Sequence, residues 1–432
     1  MDMRNLPNHL PPIERCEARR RQIEQELGID LSTLSIDPTK IGHAEERNCE
    51  QMFGHVPIPV GYAGPLTVTF SSGETADIHL PLATTEGALV ASVNRGCKAL
   101  RMSGGVKTKS TYHGVSRSIA LRMSCHGSTT LTMTQSEIQK RETEWKSIGE
   151  TTSNHLKILK YEIDTEDPYL FLTIYADTDE AMGMNMVTIA AEKIGQWIEK
   201  NLHLTFITVA GNVDSDKKPS KRTHDKGRGY EVTATATISA DVISSVLKTT
   251  PEAMFQIAHA KLDAGSDIAG ALGHNCHAAN IIAALYIATG QDPAHVVEGS
   301  LADTTCRCVT LRDPPVMVRD DFASAKSLTM TRADRLEGRP AASHAVEISV
   351  RLPAILVGIR GGGTTLPAQS QCLKLLLGPT GPRTQDLGHC LHPCRRLAES
   401  IGAAVLAGEL SLLAALSSHN LAQSHKILAI SQ

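Results

Sequence analysis

The stretch ATTEGALVASVNRG, residues 83–96, places a single acid, Glu86, ahead of a run of small and apolar residues. The small side chains predict a buried helix, and Thr84 or Thr85 can cap its start. An acid in the first helical turn is favoured by the helix dipole, which explains Glu86 without any chemical role. A carboxyl held among apolar walls, however, has a raised pKa and can donate a proton near neutral pH. Glu86 is therefore a candidate acid as well as a candidate helix-start residue.

The composition is typical of a soluble globular protein with a large core. Of the 432 residues 41% are hydrophobic, whereas 3% are aromatic and the net charge is −3, which disfavours nucleic-acid binding. The apolar run IGAAVLAGELSLLAAL contains Glu409 and is shorter than the ~20 residues that a membrane span needs. The start, MDMRNLPNHLPP, has no apolar signal-peptide core. We therefore expect a cytoplasmic protein without a membrane span.

Cysteine spacing predicts free thiols rather than a metal site. A cytoplasmic location keeps thiols reduced, and Cys306 and Cys308 have no second pair nearby. The cluster that most resembles a metal site lies in GHCLHPC and contains His389, Cys390, His392 and Cys394. Its spacing is irregular and Pro393 stiffens it, so we interpret it as a surface loop and predict no metal.

Segments of β and α character are mixed along the chain, which predicts an α+β fold. Residues 13–27 read as a polar helix that ends at Gly28, and a second helix is expected at about 181–202. Together with β-like runs such as YLFLTIYA, the second helix places a small α+β unit at about 119–209. Gly290 is expected to end a buried helix that contains HAANIIAALYIATG.

Several polar residues have both a plain and a chemical interpretation. Lys217 and Lys218 are explained as solvated charge, but Pro219 restrains their loop, and a restrained lysine can stabilise an oxyanion. Asp292 either caps the turn after Gly290 or pairs with a buried charge. His277 and Asn280 are expected to share one helix face, where a hydrogen-bonded core histidine is the plain alternative. His425 is either simply exposed or delivers a proton from a mobile tail.

The chain has no G-x-G-x-x-G between a strand and a helix, so the common dinucleotide-binding fingerprint is absent. Two weaker phosphate-binding candidates exist. AMGMNM, residues 181–186, opens a helix whose first backbone N–H groups can hold a pyrophosphate, and RGGGTT, residues 360–365, can serve similarly.

In combination these segments resemble the 3-hydroxy-3-methylglutaryl-coenzyme A (HMG-CoA) reductase family, of the eukaryotic and archaeal class, over about residues 45–430. The resemblance rests on motifs in the family's order and spacing: VPIPVGYAGPL, LATTEGALVASVNRGCKA, DEAMGMNM, DKKP, GRG, CHAANII, GQD, GGGT and AGELSLLAAL followed by SH. We expect no counterpart of the family's membrane anchor within these residues.

The resemblance implies a large domain around a central helix, with an inserted small ferredoxin-like NADPH-binding domain. The implied division is an N-terminal helical segment at 1–55, the large domain at 56–118 and 210–432 with a mobile C-terminal tail, and the small cofactor domain at 119–209. It also implies two NADPH-dependent reductions of HMG-CoA to mevalonate and coenzyme A. Family active sites lie between subunits, so a homodimer or homotetramer is expected.

The resemblance assigns roles to single residues. Glu86 matches the family's acid, Lys217 the oxyanion-stabilising lysine, Asp292 the aspartate that links them, and His425 the histidine that protonates the coenzyme A thiolate. Substrate-binding positions are matched by Ser92, Asn94, Arg95, Lys98, Arg117, Asp216, Lys218, Lys248, Lys261 and Asn280. Cofactor-binding positions are matched by Ser153, Asn154, His155, Glu180, Met182, Gly183, Met184, Asn185, Gly361, Gly362 and Gly363.

The sequence departs from the family pattern mainly around the cofactor. Asn154 stands where the family has an arginine, which removes a partner for the 2′-phosphate of NADPH. Arg360 precedes the glycines and either replaces that charge or obstructs the site. Glu180 replaces an aspartate, and Ala210 replaces a serine, which removes a hydrogen bond of about 1 kcal/mol.

These departures leave two alternatives beside an active NADPH-dependent reductase. One is a diverged paralogue that binds ligands or titrates inhibitors without catalysis. The other is a catabolic enzyme that oxidises mevalonate with NAD. A test for NADPH consumption with HMG-CoA separates the first from an active reductase, and a comparison of NAD with NADP separates the second.

Overall fold

The computed structural model describes residues 10–27, 32, 35, 37–123, 128–310, 344–378 and 391–418, and it has the expected α+β class. The strands are β1 (Val60–Thr69), β2 (Thr75–Ala83), β3 (Val106–Arg122), β4 (Lys157–Glu166), β5 (Tyr169–Asp177), β6 (Thr205–Thr208), β7 (Gly229–Ser239), β8 (Asp303–Thr310) and β9 (His344–Ile355). The α-helices are α1 (Pro12–Leu27), α2 (Pro38–Ile41), α3 (Ala44–Arg47), α4 (Leu89–Met102), α5 (Ser128–Lys140), α6 (Glu142–Glu150), α7 (Met184–Leu202), α8 (Lys221–Lys226), α9 (Ala240–Val242), α10 (Pro251–Ala258), α11 (Ser266–Ala269), α12 (Ala278–Thr289), α13 (Val296–Gly299), α14 (Pro367–Leu377) and α15 (Pro393–Ser417). Two π-helical turns, Ile243–Leu247 and His259–Gly265, and two 3₁₀ turns, Pro293–His295 and Gly362–Thr365, complete the helical segments named here.

The long strand β3 belongs to two sheets. Its first half, Lys107–Gly114, pairs antiparallel with β7 inside the order β2-β1-β3-β7-β9-β8, in which the short β1–β3 contact is parallel. Its second half, Val115–Arg122, pairs with β5, which pairs in turn with β4, while β6 pairs with the end of β3. One continuous strand therefore joins the two sheets without a linker.

Each sheet has its own apolar core. The larger core lies between the β2-to-β8 sheet and helices α4, α12 and α15. The smaller core lies between β3–β5 and helices α6 and α7, around the fully buried Trp145. Residues from the second half of β3 to Val209 supply nearly all of the smaller core. The domain boundaries proposed from the sequence, 119 and 209, remain a prediction.

Helix α15 is the central element of the larger core, and α4 lies directly against it. A Cβ added at Gly96 of α4 would lie 1.9 Å from the carbonyl oxygen of Ala407 in α15, so only glycine permits this approach. Ser92 and Arg95 of α4 hydrogen-bond to Ser411 of α15 on the same face. The small residues of the opening stretch therefore serve helix–helix packing.

Two acids are fully buried in α15, and neutral donors satisfy both. Glu399 accepts hydrogen bonds from Ser71, Thr108 and Ser110. Glu409 accepts from the backbone N–H groups of Cys276 and His277 and from the hydroxyl of Thr304. In the described part of the chain, α15 is the one helix whose length and hydropathy would suit a membrane span, and 83% of its apolar window is buried within the fold. Its surroundings are those of a core helix.

The structure corrects two local expectations. Glu86 is not in the first turn of a helix, because α4 begins at Leu89 and neither threonine caps it. The hydroxyl of Thr84 instead accepts the backbone N–H of Glu86 in the preceding turn. His277 and Asn280 do not share a helix face, since His277 precedes α12 in a non-helical conformation. The expected end of α12 at Gly290, which is left-handed, is confirmed.

Candidate active site

Lys217 and Asp292 meet although they are far apart in the sequence. The Nζ atom of Lys217 lies 2.6 Å from Oδ2 of Asp292, and both side chains are about one-third exposed. The Lys217 loop is held in an unusual conformation, because Asn212, Ser215 and Lys217 all have positive φ angles near 60°. Such backbone strain in non-glycine residues is typical of functional loops. The fold thus supplies a restrained lysine with an anionic partner.

Asp292 caps a turn, as its position in the sequence suggested, and also pairs with a charge that is partly exposed rather than buried. Its Oδ1 caps the 3₁₀ turn Pro293–His295 by accepting the N–H of Ala294, while its Oδ2 accepts from Lys217. Burial raises the pKa of Asp292, but the hydrogen bonds from Lys217 and Ala294 outweigh it and hold the pKa below its usual range. Asp292 is therefore anionic at neutral pH.

Glu86 stands apart from this pair. It is exposed, and no hydrogen bond or ion pair within the described residues joins its carboxyl to Lys217 or Asp292. Its turn lies beside the exposed apolar side chains of Val56, Ile58 and Val60, since the N–H of Thr84 bonds to the carbonyl of Pro59. The expected meeting of Glu86, Lys217 and Asp292 is thus made for two of the three residues within one chain.

Arg117 lies next to the Lys217 loop and faces two aspartates. Its Nη1 is 3.3 Å from Asp216 and 3.5 Å from Asp214, and its Nε bonds to Thr188 of α7. Burial raises the pKa of Asp216, but Arg228, His295 and Arg117 lower it below the usual value. Lys218 donates to the backbone carbonyl of Asp216 and stays exposed. A basic and acidic rim thus surrounds the lysine.

A buried ionic cluster under this rim was not foreseen from the sequence. Arg228 is fully buried and bonds to Asp216, to Glu298 and to the hydroxyl of Ser116. Glu298 is fully buried as well and also bonds to the buried His295. The sequence carried signals for both, because Arg228 is the centre of GRG, and His295 and Glu298 are three residues apart just after GQD.

The geometry of Asp216, His295 and Glu298 would allow a metal ion, since their ligand atoms lie within 4.8 Å of one another. The guanidinium of Arg228 already supplies a cation between the two carboxylates, 3.0 Å from Asp216 and 2.8 Å from Glu298. We therefore assign this cluster to Arg228 rather than to a metal.

The sequence-predicted cofactor residues converge at the start of α7. Gly183, with φ of 88°, precedes the helix, and an added Cβ at that glycine would overlap Thr178. The strip 358–363 lies alongside: the backbone N–H groups of Ile359 and Arg360 bond to the carbonyl of Glu180, and Ala181 forms a β-bridge with Arg360. His155 bonds to Asp179 at 3.0 Å, which places the segment 153–155 at the same edge.

The glycine strip also contacts the turn that carries Asp292. A Cβ at Gly290 would lie 2.3 Å from the carbonyl oxygen of Gly363, and Gln291 exchanges two hydrogen bonds with the backbone of Gly358. Gly361 and Gly362 have positive φ angles, and neither has a described neighbour within 4 Å of an added Cβ. The strip is therefore an open backbone surface that is anchored beside the Lys217–Asp292 pair.

Arg360 is exposed, and its guanidinium pairs with the buried carboxyl of Glu180. Two further residues of this edge come from the histidine- and cysteine-containing segment that was expected to form a surface loop. His392 lies 3.7 Å from Asp179, and the buried Cys394 donates to the carbonyl of Glu180. Burial raises the pKa of the Cys394 thiol to about 12, which disfavours the thiolate that zinc requires. His389 and Cys390 lie outside the described residues.

The residues expected to bind coenzyme A lie on and around α4. Lys98 is exposed on α4, and Lys248 is exposed at the end of the π-helical turn that packs against α4. Asn94 accepts the N–H of Gly64. Burial lowers the pKa of Arg95, whose guanidinium is engaged by Ser411.

The remaining residues of the proposed site are Lys261, Asn280 and His425. Lys261 is exposed in the second π-helical turn, and Asn280 is half-buried in the first turn of α12. His425 lies outside the described residues.

Comparison with known proteins gives one consistent result. Residues 15–430 match the family model for hydroxymethylglutaryl-coenzyme A reductase. The chain is 36% identical over 427 residues to the HMG-CoA reductase of Methanothermobacter thermautotrophicus, covering 98% of this chain and 95% of that protein. It is 34% identical to HMG-CoA reductase 1 of Dictyostelium discoideum, covering 97% of this chain and 69% of that protein.

Solved structures show the same fold at lower identity. The class II HMG-CoA reductase of Streptococcus pneumoniae, described as bound to NADPH in open conformations, superposes with a TM-score of 0.61 at 19% identity and covers 93% of this chain and 96% of that chain. On the full-length family match and the close relatives, this chain belongs to the hydroxymethylglutaryl-coenzyme A reductase family.

Proposed function

We propose that this protein reduces HMG-CoA to mevalonate and coenzyme A with two equivalents of NADPH. The observation that carries the proposal is the 2.6 Å contact between Lys217 and Asp292, in a chain whose family performs this chemistry. NADPH, when bound on the strip 361–363, supplies each hydride to a carbonyl carbon.

The first hydride converts the thioester to a hemithioacetal, whose oxyanion is stabilised by the ammonium of Lys217. The carbon–sulfur bond then breaks, which gives an aldehyde and a coenzyme A thiolate that must take up a proton. His425 is the proposed donor, because an unperturbed imidazole has a suitable pKa. The second hydride reduces the aldehyde, and the alkoxide takes its proton from Glu86. Two protons and two hydrides are consumed in total.

The assay follows from this stoichiometry. Purified protein with HMG-CoA should oxidise two NADPH per mevalonate formed. Oxidation of neither NADPH nor NADH would overturn the proposal. Binding of HMG-CoA without turnover would favour a ligand-binding paralogue, and faster mevalonate oxidation with NAD than with NADP would favour a catabolic enzyme.

We further propose that Glu86 reaches Lys217 across a homodimer interface. Two features of the Glu86 turn support this: its carboxyl has no charged partner within the described chain, and it lies beside exposed apolar residues, which include Tyr62 and Val60. In a two-fold dimer the Glu86 of each subunit would complete the site of the other. We also propose that the protein forms a homodimer or a homotetramer and that it is cytoplasmic.

Subunit complementation tests this arrangement. Glu86→Gln and Lys217→Ala dimers should each be inactive, yet unfolding and refolding them together should restore about a quarter of wild-type activity. The reason is that half of the dimers are mixed and each mixed dimer has one intact site. If Glu86 acted within its own chain, every site would keep one defect and mixing would restore nothing.

A further inference from the structure

His295 lies directly beneath the Lys217–Asp292 pair. It ends the 3₁₀ turn that Asp292 begins, and its side chain is fully buried. Its Nδ1 hydrogen-bonds to Glu298, while its Nε2 lies 3.8 Å from Oδ2 of Asp292 and has no hydrogen-bond partner within the described chain. Burying an imidazole nitrogen without a hydrogen-bond partner is energetically unfavourable, so its presence in a folded protein calls for an explanation.

The partner on one side fixes where the first proton is. Glu298 is fully buried, and both its oxygens accept from Nη1 of Arg228 at 2.8 Å. A carboxylate that accepts from an arginine can only accept from the imidazole as well, so Nδ1 of His295 carries hydrogen. On the other side Nε2 faces the anionic Asp292, which repels a nitrogen lone pair and attracts an N–H.

The charges around His295 favour the second proton. The fixed cations of the cluster are Arg117, Lys217 and Arg228, and its carboxylates are Asp214, Asp216, Asp292 and Glu298. Burial raises the pKa of Asp214, so that acid is not counted as a full charge. The two carboxylates that flank the ring, Glu298 at Nδ1 and Asp292 at Nε2, each favour an N–H on the nitrogen that faces them. Tyr286 of α12 adds no charge, because burial first, and then the charges of Glu298 and Asp292, raise the pKa of its hydroxyl.

We propose that His295, as an imidazolium held by Glu298, is a positioning residue that keeps Asp292 ionised and turned toward Lys217. This inference rests on the proposed reductase function for its kinetic consequences but not for its structural ones. His295 contacts Asp292 on one side and Glu298 on the other, and Glu298 bonds to Arg228, which also holds Asp216. The Lys217–Asp292 pair and Asp216 are therefore joined through the same buried residues.

The test compares two histidine variants that differ in location. His295→Gln should lower kcat about tenfold while KM for HMG-CoA changes less than about twofold, since Asp292 loses a neighbouring positive charge. The acid limb of the kcat profile should move to higher pH, because the pKa of Asp292 rises when that charge is removed. His43→Gln is the control: His43 also pairs with a carboxylate, Glu46, at 3.2 Å, but it is exposed just before α3. It should leave kcat and the acid limb unchanged.

A spectroscopic measurement covers the cases of a poorly folded variant or an inactive protein. Nitrogen-15 histidine spectra of the wild-type protein, recorded at about pH 7.5, should show one imidazole with hydrogen on both ring nitrogens. Loss of that signal in His295→Gln assigns the signal to His295. In Glu298→Gln the imidazole signal should remain, but it should no longer show hydrogen on both ring nitrogens. A folded His295→Gln with an unshifted acid limb, or an imidazole signal that is neutral at that pH, would overturn the inference. Wild-type protein inactive with HMG-CoA but showing this signal would overturn the proposed function alone.

Discussion

The Lys217 side and the Glu86 side of the candidate site are built in opposite ways. On the Lys217 side, Lys217 is paired with Asp292, and the buried Arg228 and Glu298 lie beneath them. On the Glu86 side, the acid lies in an exposed turn before α4, and Lys98 and Lys248 are exposed nearby. One chain therefore pairs the charges on the Lys217 side and leaves Glu86, the proposed proton donor, on its surface.

This difference follows from the cost of burying charge. A cluster that contains Arg228, Glu298 and His295 must be satisfied when the chain folds, because an unpaired buried ion costs several kcal/mol. Under the proposed function the acid on the other side needs the opposite, namely a place that becomes dry only when the substrate and a second subunit arrive. The predictions below test how independent the two sides are.

The largest effect is expected from Lys217→Ala. Loss of the ammonium should lower kcat for NADPH oxidation about a thousandfold, the range for loss of one oxyanion-stabilising group, while the protein folds normally. Lys221→Ala is the matched control, since Lys221 is exposed and pairs with Asp225 four residues away. Steady-state kinetics with circular dichroism checks both, and near-wild-type turnover of Lys217→Ala would refute its role.

The Glu86 side should be broken by a change in its supporting helix. Gly96→Ala places a carbon 1.9 Å from the carbonyl oxygen of Ala407, so α4 must move away from α15. We expect a loss of about 3 kcal/mol in the free energy of unfolding, the upper end for overpacking. Urea denaturation measures it, with Gly299→Ala as control, because its added carbon stays 3.5 Å from its nearest neighbour. A loss under about 1 kcal/mol would mean that the contact is loose.

The sequence predicted a buried helix in the stretch 83–96 and the Lys217–Asp292 contact for different reasons. The helices were predicted from runs of small and apolar residues, as in the stretch 83–96 and in α15. The contact between Lys217 and Asp292 came from the family resemblance, because nothing local links residues so far apart. Glu86 was placed in a helical turn because Thr84 looks like a cap, whereas its hydroxyl closes a tighter turn.

The buried cluster was missed because single-sequence reasoning assigns charged residues to the surface. The sequence analysis noted Arg228 only within the GRG motif and did not single out Glu298. Their burial depends on the meeting of β7, α13 and the 3₁₀ turn. Such a tertiary contact leaves no periodic pattern. The glycines on either side of Arg228 were the available signal of a close approach. A Cβ added at Gly229 would lie 2.7 Å from the carbonyl oxygen of Ile355.

A smaller effect is expected where β7 supports the Lys217 side. Glu231 accepts from His113 and Arg351. Burial raises its pKa, but these two partners outweigh it and lower the pKa from 4.5 to about 2. Its contribution to stability is therefore complete above pH 4.5 and is lost as the pH falls toward about 2.

Glu231→Gln should reduce the free energy of unfolding by about 1 kcal/mol at neutral pH, the upper range for a partly exposed pair. The difference from wild type should shrink as the pH falls below 4.5. Urea titrations at several pH values measure it, with Glu192→Gln, an exposed acid that bonds to Gln196, as control. A difference that is constant with pH would show that Glu231 acts through packing rather than charge.

The smallest effect is expected at Arg360, which decides whether the cofactor edge has regained the positive charge lost at Asn154. The guanidinium of Arg360 is committed to Glu180, so we expect it to neutralise that carboxylate rather than to hold a 2′-phosphate. Arg360→Ala should then raise KM about threefold for NADPH and NADH alike, because a bare carboxylate repels the pyrophosphate that both share. Glu180→Gln should relieve the defect when added to Arg360→Ala. A rise confined to NADPH would instead make Arg360 the residue that reads the 2′-phosphate, and a fall in KM would mean that its side chain obstructs the edge.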